Sequence, residues 1–498
     1  MIKRLLLGFL VLFVVLAAVL VGNTLRQGSR QVVVGSVAAG PTGAPVPPLA
    51  VDQARVAESL AAAVRARTVS GLLDPAGTAA EFDKLHAFLR TRYPLVHATL
   101  QRDLVGVHSL LYTWAGTDAQ AQGVALLAHQ DVVPIAPGTE ALWKKPPFEG
   151  VVDDGFVWGR GTVDNKSNLI TQLEAVEALL QSGFKPRRSI YLVFGHDEEV
   201  GGRQGAMAVV ALLKQRGVRL DFVLDEGMVV TEGIFPGLKQ PLALIGLAEK
   251  GGMSVRLTAT TAPGHSSMPP AAGQSAIGML TAALTRLDQT PMPGGVQGAA
   301  AELFSAVAPE LPFGQRLAMS NLWLFQPVVE RMLSKAPATN AMLRTTTALT
   351  IIHAGNKENV LPGQAEAVVN FRILPGDSAG AVLAHVKRVV ADDRIVVQVL
   401  GTAAEPSKLS SSKAGAYRVV ERSIREVFPD ALVAPSLVVV GTDSRHFQDL
   451  ADQVYRFMPI RFKPADLALP HGTNERIAAT QLVDMVRFYY RLLQQSAS

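Results

Sequence analysis

Short apolar runs that end in acidic or histidine residues constrain the fold of this chain more than any other feature. The runs GVALLA, IYLVF and FVL lead directly into HQD, GHDEE and DEG. Such uninterrupted apolar runs are typical of strands buried on both faces, as in parallel sheets. Segments with helical periodicity lie between the runs, and this alternation predicts a mostly parallel α/β sheet. The polar residues should then collect where the strands end.

Those polar residues are of the types that bind zinc when a water molecule must be activated. Seven of them, from five segments, stand out: His129, Asp131, Asp164, Glu198, Glu199, Asp225 and His471. The 498-residue chain contains no cysteine, so a bound metal must be held by nitrogen and oxygen atoms. The combination predicts a metal-dependent hydrolase.

In HQD, His129 and Asp131 are two residues apart, so on a strand their side chains share a face. His129 is a candidate metal ligand, and Asp131 can accept a hydrogen bond from the other ring nitrogen and fix the tautomer. The alternative is an ordinary buried histidine at a strand end. In GRGTVDNKS, Asp164 precedes a helix that begins near Lys166. It is either a helix-capping carboxylate or a bridge between two metal ions.

The adjacent Glu198 and Glu199 follow a buried strand. Neighbours on extended backbone point in different directions, so one can bind metal while the other acts as a base on the reacting water. A solvated acidic loop is the alternative. Asp225 ends another apolar strand, and His471 lies in a Pro/Gly loop suited to functional side chains. His196, beside the glutamates, is better explained as structural.

The segments HQDVVP, WGRGTVDNK, GHDEEVGG, VLDEG, GHSS and PHGTNE occur in an order and spacing that carry a family resemblance. Together they resemble the zinc aminoacylase/carboxypeptidase metallopeptidase family. HSLLYTWAG and WKKPPFEG are similar to carboxypeptidase S, the Gly-X carboxypeptidase, and equally to its N-fatty-acyl-amino-acid synthase/hydrolase relatives. The resemblance covers roughly residues 50–495.

This resemblance implies a site with two zinc ions per subunit. His129 and Asp225 would hold one ion, and Glu199 and His471 the other. Asp164 would bridge the two ions. Glu198 would be the general base and later the proton donor, while Asp131 would orient His129.

The resemblance also implies substrate-binding residues, most of them in the predicted lid domain. His265 of GHSS would stabilise the oxyanion, in several relatives from the partner subunit, which leaves a homodimer through the lid domain open. Asn359 and Arg372 are candidates to bind the free carboxylate of the substrate, and Arg445 is a further one. A surface histidine, a turn-forming asparagine and surface or ion-paired arginines are the alternatives.

The N-terminus carries an uncharged apolar run over residues 5–22, preceded by Lys3 and Arg4. The run is long enough to cross a bilayer as a helix, and the basic flank predicts a cytoplasmic N-terminus. A cleaved signal peptide is the alternative, but the run is longer than the usual apolar region and VLVGNT is a poor cleavage site. We therefore predict a single-pass anchor with the catalytic domain on the periplasmic or extracytoplasmic side.

The predicted organisation inserts one domain into another. An α+β, ferredoxin-like lid or dimerisation domain interrupts a mostly parallel α/β zinc-peptidase domain. The boundaries are a transmembrane anchor (1–25), a Pro/Gly-rich tether (26–50), a first catalytic segment (51–245), the lid (246–403, with a helical insertion at 290–345) and a second catalytic segment (404–498).

The predicted function is zinc-dependent hydrolysis of the amide bond in peptides or N-acyl amino acids with a free C-terminal carboxylate. One alternative is an N-fatty-acyl amino acid synthase/hydrolase that runs the reaction reversibly, and another is a non-catalytic exported peptide-binding module. The formal net charge of +5 is scattered along the chain, so nucleic acid is not an expected partner.

Overall fold

The structure is a computed structural model that describes residues 2–29, 31, 48–71 and 75–497. Most of the predicted tether, residues 26–50, lies outside the described residues. The chain divides into two compact units. Each unit is named after the predicted domain that makes up most of it. The lid unit comprises Met1–Gly28, Ala248–Leu409 and Leu437–Gly441, and the catalytic unit comprises Ser29–Leu247, Ser410–Ser436 and Thr442–Ser498.

Three of the helices begin at a residue that caps them. Asp52, Ser275 and Ser378 each cap a helix by accepting a backbone N–H of its first turn. The helices are α1 (Ile2–Arg26), α2 (Gln53–Val64), α3 (Pro75–Arg92), α4 (Pro94–Thr99), α5 (Lys166–Gln181), α6 (Ala206–Gln215), α7 (Ala276–Gln289), α8 (Gly298–Val307), α9 (Phe313–Ser320), α10 (Leu322–Leu333), α11 (Pro337–Leu343), α12 (Ala379–Val390), α13 (Gly415–Val427) and α14 (Ala479–Ser496).

The strands are distributed over both units. They are β1 (Gln101–Val105), β2 (Ser109–Trp114), β3 (Gly123–His129), β4 (Val151–Asp153), β5 (Phe156–Trp158), β6 (Ile190–Gly195), β7 (Leu220–Asp225), β8 (Val230–Thr231), β9 (Leu242–Glu249), β10 (Gly251–Thr260), β11 (Gly264–His265), β12 (Thr346–Ala354), β13 (Val360–Leu361), β14 (Gln364–Ile373), β15 (Ile395–Ala404), β16 (Leu432–Val438), β17 (Ala451–Arg456), β18 (Arg461–Phe462) and β19 (Arg476–Ala478).

The catalytic unit is built on a large mixed sheet in the strand order β1-β2-β6-β3-β7-β17-β9-β8-β18, with β16 beside β9. Its centre is parallel, since β3 pairs in parallel with β6 and β7, and β7 with β17. Strands β1 and β2 form an antiparallel edge. The predicted mostly parallel α/β fold with an N-terminal apolar helix is therefore confirmed.

Strand β3 shows why the apolar runs are uninterrupted. Val124, Leu126 and Ala128 belong to a core cluster that also contains buried residues of α2, α5 and α14. The alternate residues Ala125 and Leu127 pack in a second cluster with residues of α6. Both faces of the strand are thus covered, and only its end is free to present a polar side chain.

The lid unit contains a four-stranded antiparallel sheet in the order β12-β14-β10-β15. This connectivity, with helices α7 and α12 between the strands, is that of a ferredoxin-like layer. Alternate residues of β10 (Met253, Val255, Leu257 and Ala259) pack in one cluster with residues of both helices. Between α7 and β12 the chain forms helices α8–α11.

Among the described residues, α1 is the one helix long and apolar enough to cross a membrane. It is 25 residues long, and its 18-residue window has a mean hydropathy of 3.1. Nearly all of its large apolar side chains are exposed. Its length and composition fit either a membrane anchor or a signal sequence.

Candidate active site

The carboxyl ends of the central parallel strands bring the predicted site residues together. His129 is the last residue of β3 and lies in register with Gly195, the last residue of β6. Three residues after Gly195, a 3-10 turn begins with Glu198 and Glu199. Because parallel strands end at one edge of the sheet, these side chains converge although they come from separate segments.

Asp164 lies between the two histidines. Its Oδ1 is 2.9 Å from Nε2 of His129, and its Oδ2 is 3.2 Å from Nε2 of His471. Nε2 of His471 is also 3.1 Å from Oε2 of Glu199. Each oxygen of Asp164 thus meets a different imidazole, which is the arrangement of a carboxylate able to bridge two metal positions.

Asp131 holds the turn that carries the two glutamates. Its Oδ1 accepts the backbone N–H of Glu198 at 3.2 Å, and its Oδ2 accepts that of Glu199 at 3.1 Å. Nδ1 of His129 is 2.9 Å from the backbone oxygen of Asp131 and 3.4 Å from its Oδ1. Asp131 is fully buried, so it positions both the imidazole and the glutamate turn.

A buried ion pair, which was not predicted from the sequence, connects the two ligand loops. Oε1 of Glu475 accepts the backbone N–H groups of Gly161, Val163 and Asp164 at 3.0, 2.8 and 3.1 Å. Its Oε2 is 2.6 Å from Nη1 of Arg160, whose Nη2 donates to the backbone oxygen of His471. Both residues lie in segments singled out from the sequence, since Glu475 ends PHGTNE and Arg160 lies in GRGTVD, but nothing in the sequence pairs them.

The loop of His471 has an unusual backbone. His471 itself has φ of 59°, in the left-handed region that a non-glycine residue seldom adopts. At the next position, a Cβ on Gly472 would lie 2.0 Å from the backbone oxygen of Ala468. Glycine is therefore required there, and the close approach fixes the path that presents the His471 imidazole.

The end of β7 places at the site a residue that was not predicted from the sequence. Oε1 of Glu226 is 3.3 Å from Nε2 of His129, and its Oε2 accepts a hydrogen bond from Asn165. The Asp225 carboxylate accepts the backbone N–H groups of Glu226 and Ser444. Asp225 is buried beside the cluster, and its role as a metal ligand stays a prediction.

The site contains more negative charge than the protein balances. Although burial lowers the pKa of His129, the carboxylates of Glu226, Asp131 and Asp164 outweigh it and raise that pKa well above its ordinary value. Hydrogen bonds to Asp164 and Glu199 raise the pKa of His471 to about 10. Such shifts of both imidazoles indicate a site that attracts cations.

The pKa values of two acidic groups in the cluster are raised as well. Burial, reinforced by Asp164, raises the pKa of Glu226 to about 8. Burial also raises the pKa of Glu198 well above its ordinary value. A raised pKa means that a carboxyl group accepts a proton more readily than it does in water, which suits a general base.

The side chains fit a divalent cation. Single ligand atoms of His129, Asp164 and Glu199 lie within 4.8 Å of one another, as do those of His129, Glu198 and Glu226. Within the described part of the chain, the buried Oε1 of Glu199 has no hydrogen-bond partner. A buried carboxylate oxygen without a donor is costly, and a metal ion would satisfy it.

His196 has a structural environment. Its Nδ1 is 2.7 Å from Oγ of Ser109, and its ring packs edge-on against Phe82 and His108. The neighbouring Asp197 accepts the backbone N–H groups of Gln204 and Gly205. These contacts account for both side chains without a metal.

The predicted substrate-binding residues lie in different units. Arg445 belongs to the catalytic unit and is half-buried in a 3-10 turn, whereas the other three are exposed in the lid unit. His265 lies on β11, which pairs with β13, and its Nδ1 accepts from Ser267. The backbone oxygen of Asn359 accepts the N–H of Ser266 just before β13, and Arg372 lies on β14. Their roles remain predictions.

Comparison with known proteins gives the family. Residues 125–495 match the model of peptidase family M20/M25/M40. The "Probable carboxypeptidase S-like 2" of Dictyostelium discoideum is 41% identical over 84% of this chain and 80% of that protein. The human "N-fatty-acyl-amino acid synthase/hydrolase PM20D1" is 41% identical over 89% of this chain and 88% of that protein. Yeast "Carboxypeptidase S" is 29% identical over 83% and 78%.

Solved structures agree with this match at the level of the fold. The M20 family metallo-carboxypeptidase Sso-CP2 from Sulfolobus solfataricus superposes with a TM-score of 0.63 at 18% identity, covering 88% of this chain and 98% of that chain. Human carnosine dipeptidase 1 superposes with a TM-score of 0.62 at 17% identity, covering 91% and 100%. The chain therefore belongs to peptidase family M20/M25/M40 and is a hydrolase of that family.

Proposed function

We propose that this chain is a two-zinc amidohydrolase that cleaves the amide bond of peptides or N-acyl amino acids with a free C-terminal carboxylate. The observation that carries the proposal is the position of Asp164, with one oxygen facing His129 and the other facing His471. One carboxylate between two imidazoles could serve as a shared ligand of two metal ions.

The proposed zinc ligands follow from this arrangement and from the family. His129 and Asp225 would hold one zinc, and Glu199 and His471 the other, with Asp164 shared. The uncompensated oxygen of Glu199 supports its place in this set. When bound, the two ions would lower the pKa of a water molecule and polarise the scissile carbonyl.

Glu198 is the proposed general base. Its backbone is fixed by Asp131, and its raised pKa suits a group that takes a proton from water and then protonates the leaving nitrogen. Glu199, whose Oε2 faces His471, is committed to binding. Of the two adjacent glutamates, Glu198 would thus transfer protons and Glu199 would bind metal.

The substrate would carry a free carboxylate next to the scissile amide. Arg372 and Arg445 offer guanidinium groups for a bidentate grip on that carboxylate, and Asn359 an additional donor. His265 would stabilise the oxyanion, which leaves open a homodimer through the lid unit. Relatives at about 41% identity are named for carboxypeptidase S and for N-fatty-acyl amino acids alike, so the proposal covers both a second amino acid and a long acyl group.

The proposed location is a membrane. Helix α1 would be an uncleaved single-pass anchor with Lys3 and Arg4 on the cytoplasmic side, and the catalytic unit would face the extracytoplasmic side. A hydrolase held at a bilayer would meet amphiphilic N-acyl amino acids where they are most concentrated.

The decisive test is Glu198→Gln in the full chain loaded with zinc. Loss of a general base costs roughly 10²–10⁴-fold in rate, so hydrolysis of N-oleoyl amino acids and Gly-X dipeptides should fall by that factor. Zinc content should stay at the wild-type level. The exposed Glu58, which pairs with Arg65 on the surface, provides the control, because Glu58→Gln makes the same chemical change and should leave turnover unchanged.

The alternatives are separated by the same samples. Wild-type protein that binds zinc but leaves the whole substrate panel intact would favour a binding module and contradict the proposal. Formation of N-oleoyl phenylalanine from oleate and phenylalanine, abolished in Glu198→Gln, would show that the same site also runs in the synthetic direction. Full activity of Glu198→Gln would refute the assignment of the base.

A further inference from the structure

Helix α9 of the lid unit, together with the residue that follows it, makes a direct polar contact with the end of the apolar N-terminal helix. We call α9 and α10, with Asn321 between them, the α9–α10 platform. Nδ2 of Asn321 donates to the backbone oxygen of Leu20 at 3.1 Å and to Oγ1 of Thr24 at 3.3 Å. Nη2 of Arg316 donates to the backbone oxygens of Thr24 and Gln27 at 3.0 and 2.7 Å.

This contact satisfies the C-terminal end of α1. The last carbonyls of a helix have no partner within the helix, and a cation at that end is favoured by the helix dipole. Arg316 supplies both the donors and the charge. Thr24 is fully buried, so the end of α1 is packed against the platform and is not a free tail.

The platform exposes several large apolar side chains. Trp323 is 62% and Met332 64% exposed, and Leu324 and Val328 are exposed between them. Leu324, Val328 and Met332 are four residues apart, so they share one face of α10. Phe313 of α9 is exposed as well. Large apolar side chains that are exposed together on a protein surface mark an interaction site.

The contact with α1 fixes the level of this face relative to a bilayer. The apolar run of α1 covers residues 5–22, and 18 residues of helix rise about 27 Å, close to the roughly 30 Å hydrocarbon core. Leu20 lies in the last turn of that run, so Asn321 meets α1 where the helix leaves the core. Nε1 of Trp323 donates to Oδ1 of the same Asn321 at 3.3 Å.

The residues of the platform are of the types found at a membrane–water interface. Tryptophan is enriched at membrane–water interfaces, where its ring is buried and its N–H stays hydrogen-bonded. Residues 313–335 contain three basic residues, Arg316, Arg331 and Lys335, against the single acidic Glu330. An apolar face flanked by basic residues is the pattern of a helix that lies in the interface of an anionic bilayer.

We propose that the apolar face of the α9–α10 platform is embedded in the interface of the same bilayer that α1 crosses, beside the point where α1 emerges. The proposal rests on the anchor role given to α1 under the proposed function. The partner is the lipid surface, and the platform adds a second point of attachment that fixes the orientation of the lid unit on the membrane.

The test uses the tryptophans of the full chain in vesicles of phosphatidylcholine and phosphatidylglycerol that contain brominated lipid. The chain has four tryptophans, of which Trp114 and Trp158 are buried. Brominated acyl chains should quench part of the wild-type emission, and Trp323→Phe should lose that quenchable part. Trp143→Phe, a matched change in the catalytic unit, should retain it. Equal quenching in wild type and Trp323→Phe would overturn the proposal.

A second measurement separates lipid from another protein as the occupant. Because the chain has no cysteine, Val328→Cys can be labelled at one site with an environment-sensitive dye, and Asp393→Cys, exposed in the same unit, is the control. A blue shift at position 328 that nitroxide-labelled lipid quenches supports the proposal. A blue shift that lipid does not quench indicates a second copy of the chain and overturns it.

Failure of the inference is distinguishable from failure of the proposed function. Alkaline carbonate extraction and amide hydrolysis are measured on the same vesicles. Protein that resists extraction and hydrolyses substrate, but shows no lipid contact at Trp323 or position 328, refutes the platform alone. Protein that carbonate releases from the vesicles refutes the anchor, and the platform proposal falls with it.

Discussion

Replacing Glu475 with glutamine should show that the buried pair with Arg160 holds the metal loops in place. Glu475 is fully buried, and its two oxygens together accept three backbone N–H groups and the Arg160 guanidinium. Glutamine has nearly the same shape and keeps one carbonyl oxygen. The change therefore removes the charge while leaving the volume of the side chain intact.

The size of the destabilisation depends on the group that loses its partner. Burial raises the pKa of Glu475 even with Arg160 beside it, so the carboxylate itself is held at a cost. The penalty of Glu475→Gln arises instead from Arg160, only 3% exposed, which would lose its counter-charge. Breaking a buried pair from one side typically costs about 3–5 kcal/mol. The same change in the exposed pair of Glu58 and Arg65 should cost less than about 1 kcal/mol.

The assay is thermal unfolding together with a zinc titration. Glu475→Gln should unfold several degrees below wild type, whereas Glu58→Gln should not differ. Zinc affinity should fall by roughly 10–100-fold, the usual effect of removing a group that positions a ligand, because Glu475 holds the backbone N–H of Asp164. Adding Arg160→Met to Glu475→Gln removes the unpaired charge and should recover part of the stability.

Two results would refute this reasoning. If Glu475→Gln unfolds at the same temperature as Glu58→Gln, Arg160 finds compensation elsewhere and the pair is not essential to the loops. If the stability falls while zinc affinity stays at the wild-type value, the pair supports the fold but does not position Asp164.

Two further predictions concern the same unit. Burial lowers the pKa of His86 to about 4, so between that value and its unfolded pKa of about 6.5 the unfolded chain binds more protons. The free energy of unfolding should therefore fall as pH drops through this window. Between pH 7 and 4.5, the unfolding temperature of His86→Gln should fall by less than that of the wild type. An equal fall of the unfolding temperature in both proteins would show that His86 does not contribute to this pH dependence. Asp131→Asn leaves one carbonyl oxygen for the two N–H groups of Glu198 and Glu199. It should weaken zinc binding roughly 10–100-fold in a titration, and unchanged affinity would exclude a positioning role.

The central sheet could be predicted because its strands are buried on both sides. In β3, alternate residues pack into two different clusters, so every position must be apolar until His129. An uninterrupted apolar run that ends abruptly in a polar residue therefore marks both the strand and the edge at which the site forms. The meeting of His129 with the turn after β6 follows from that pattern alone.

The supporting contacts could not be predicted in the same way, because they join residues far apart in the sequence. Arg160 and Glu475 are separated by 315 positions, and neither lies in an apolar run that would reveal its burial. Lys166 is equally hidden: it is fully buried and donates to the backbone oxygens of Ala63 and Ala66. A buried charge is recognisable only once its partners are known.

The adjacent acidic pairs could be predicted only in part: their location follows from the sequence, but the direction of each side chain does not. Sequence places Glu198 and Glu199 beside the metal site, but the hydrogen bonds of their backbone to Asp131 decide which way each side chain turns. At the end of β7, Asp225 keeps the alternation of the strand and is held by the N–H of Ser444. Glu226, one residue beyond the strand, is free of that alternation and reaches His129. A pattern of strand ends thus predicts where carboxylates gather, while the hydrogen bonds of the backbone determine the atom that each one faces.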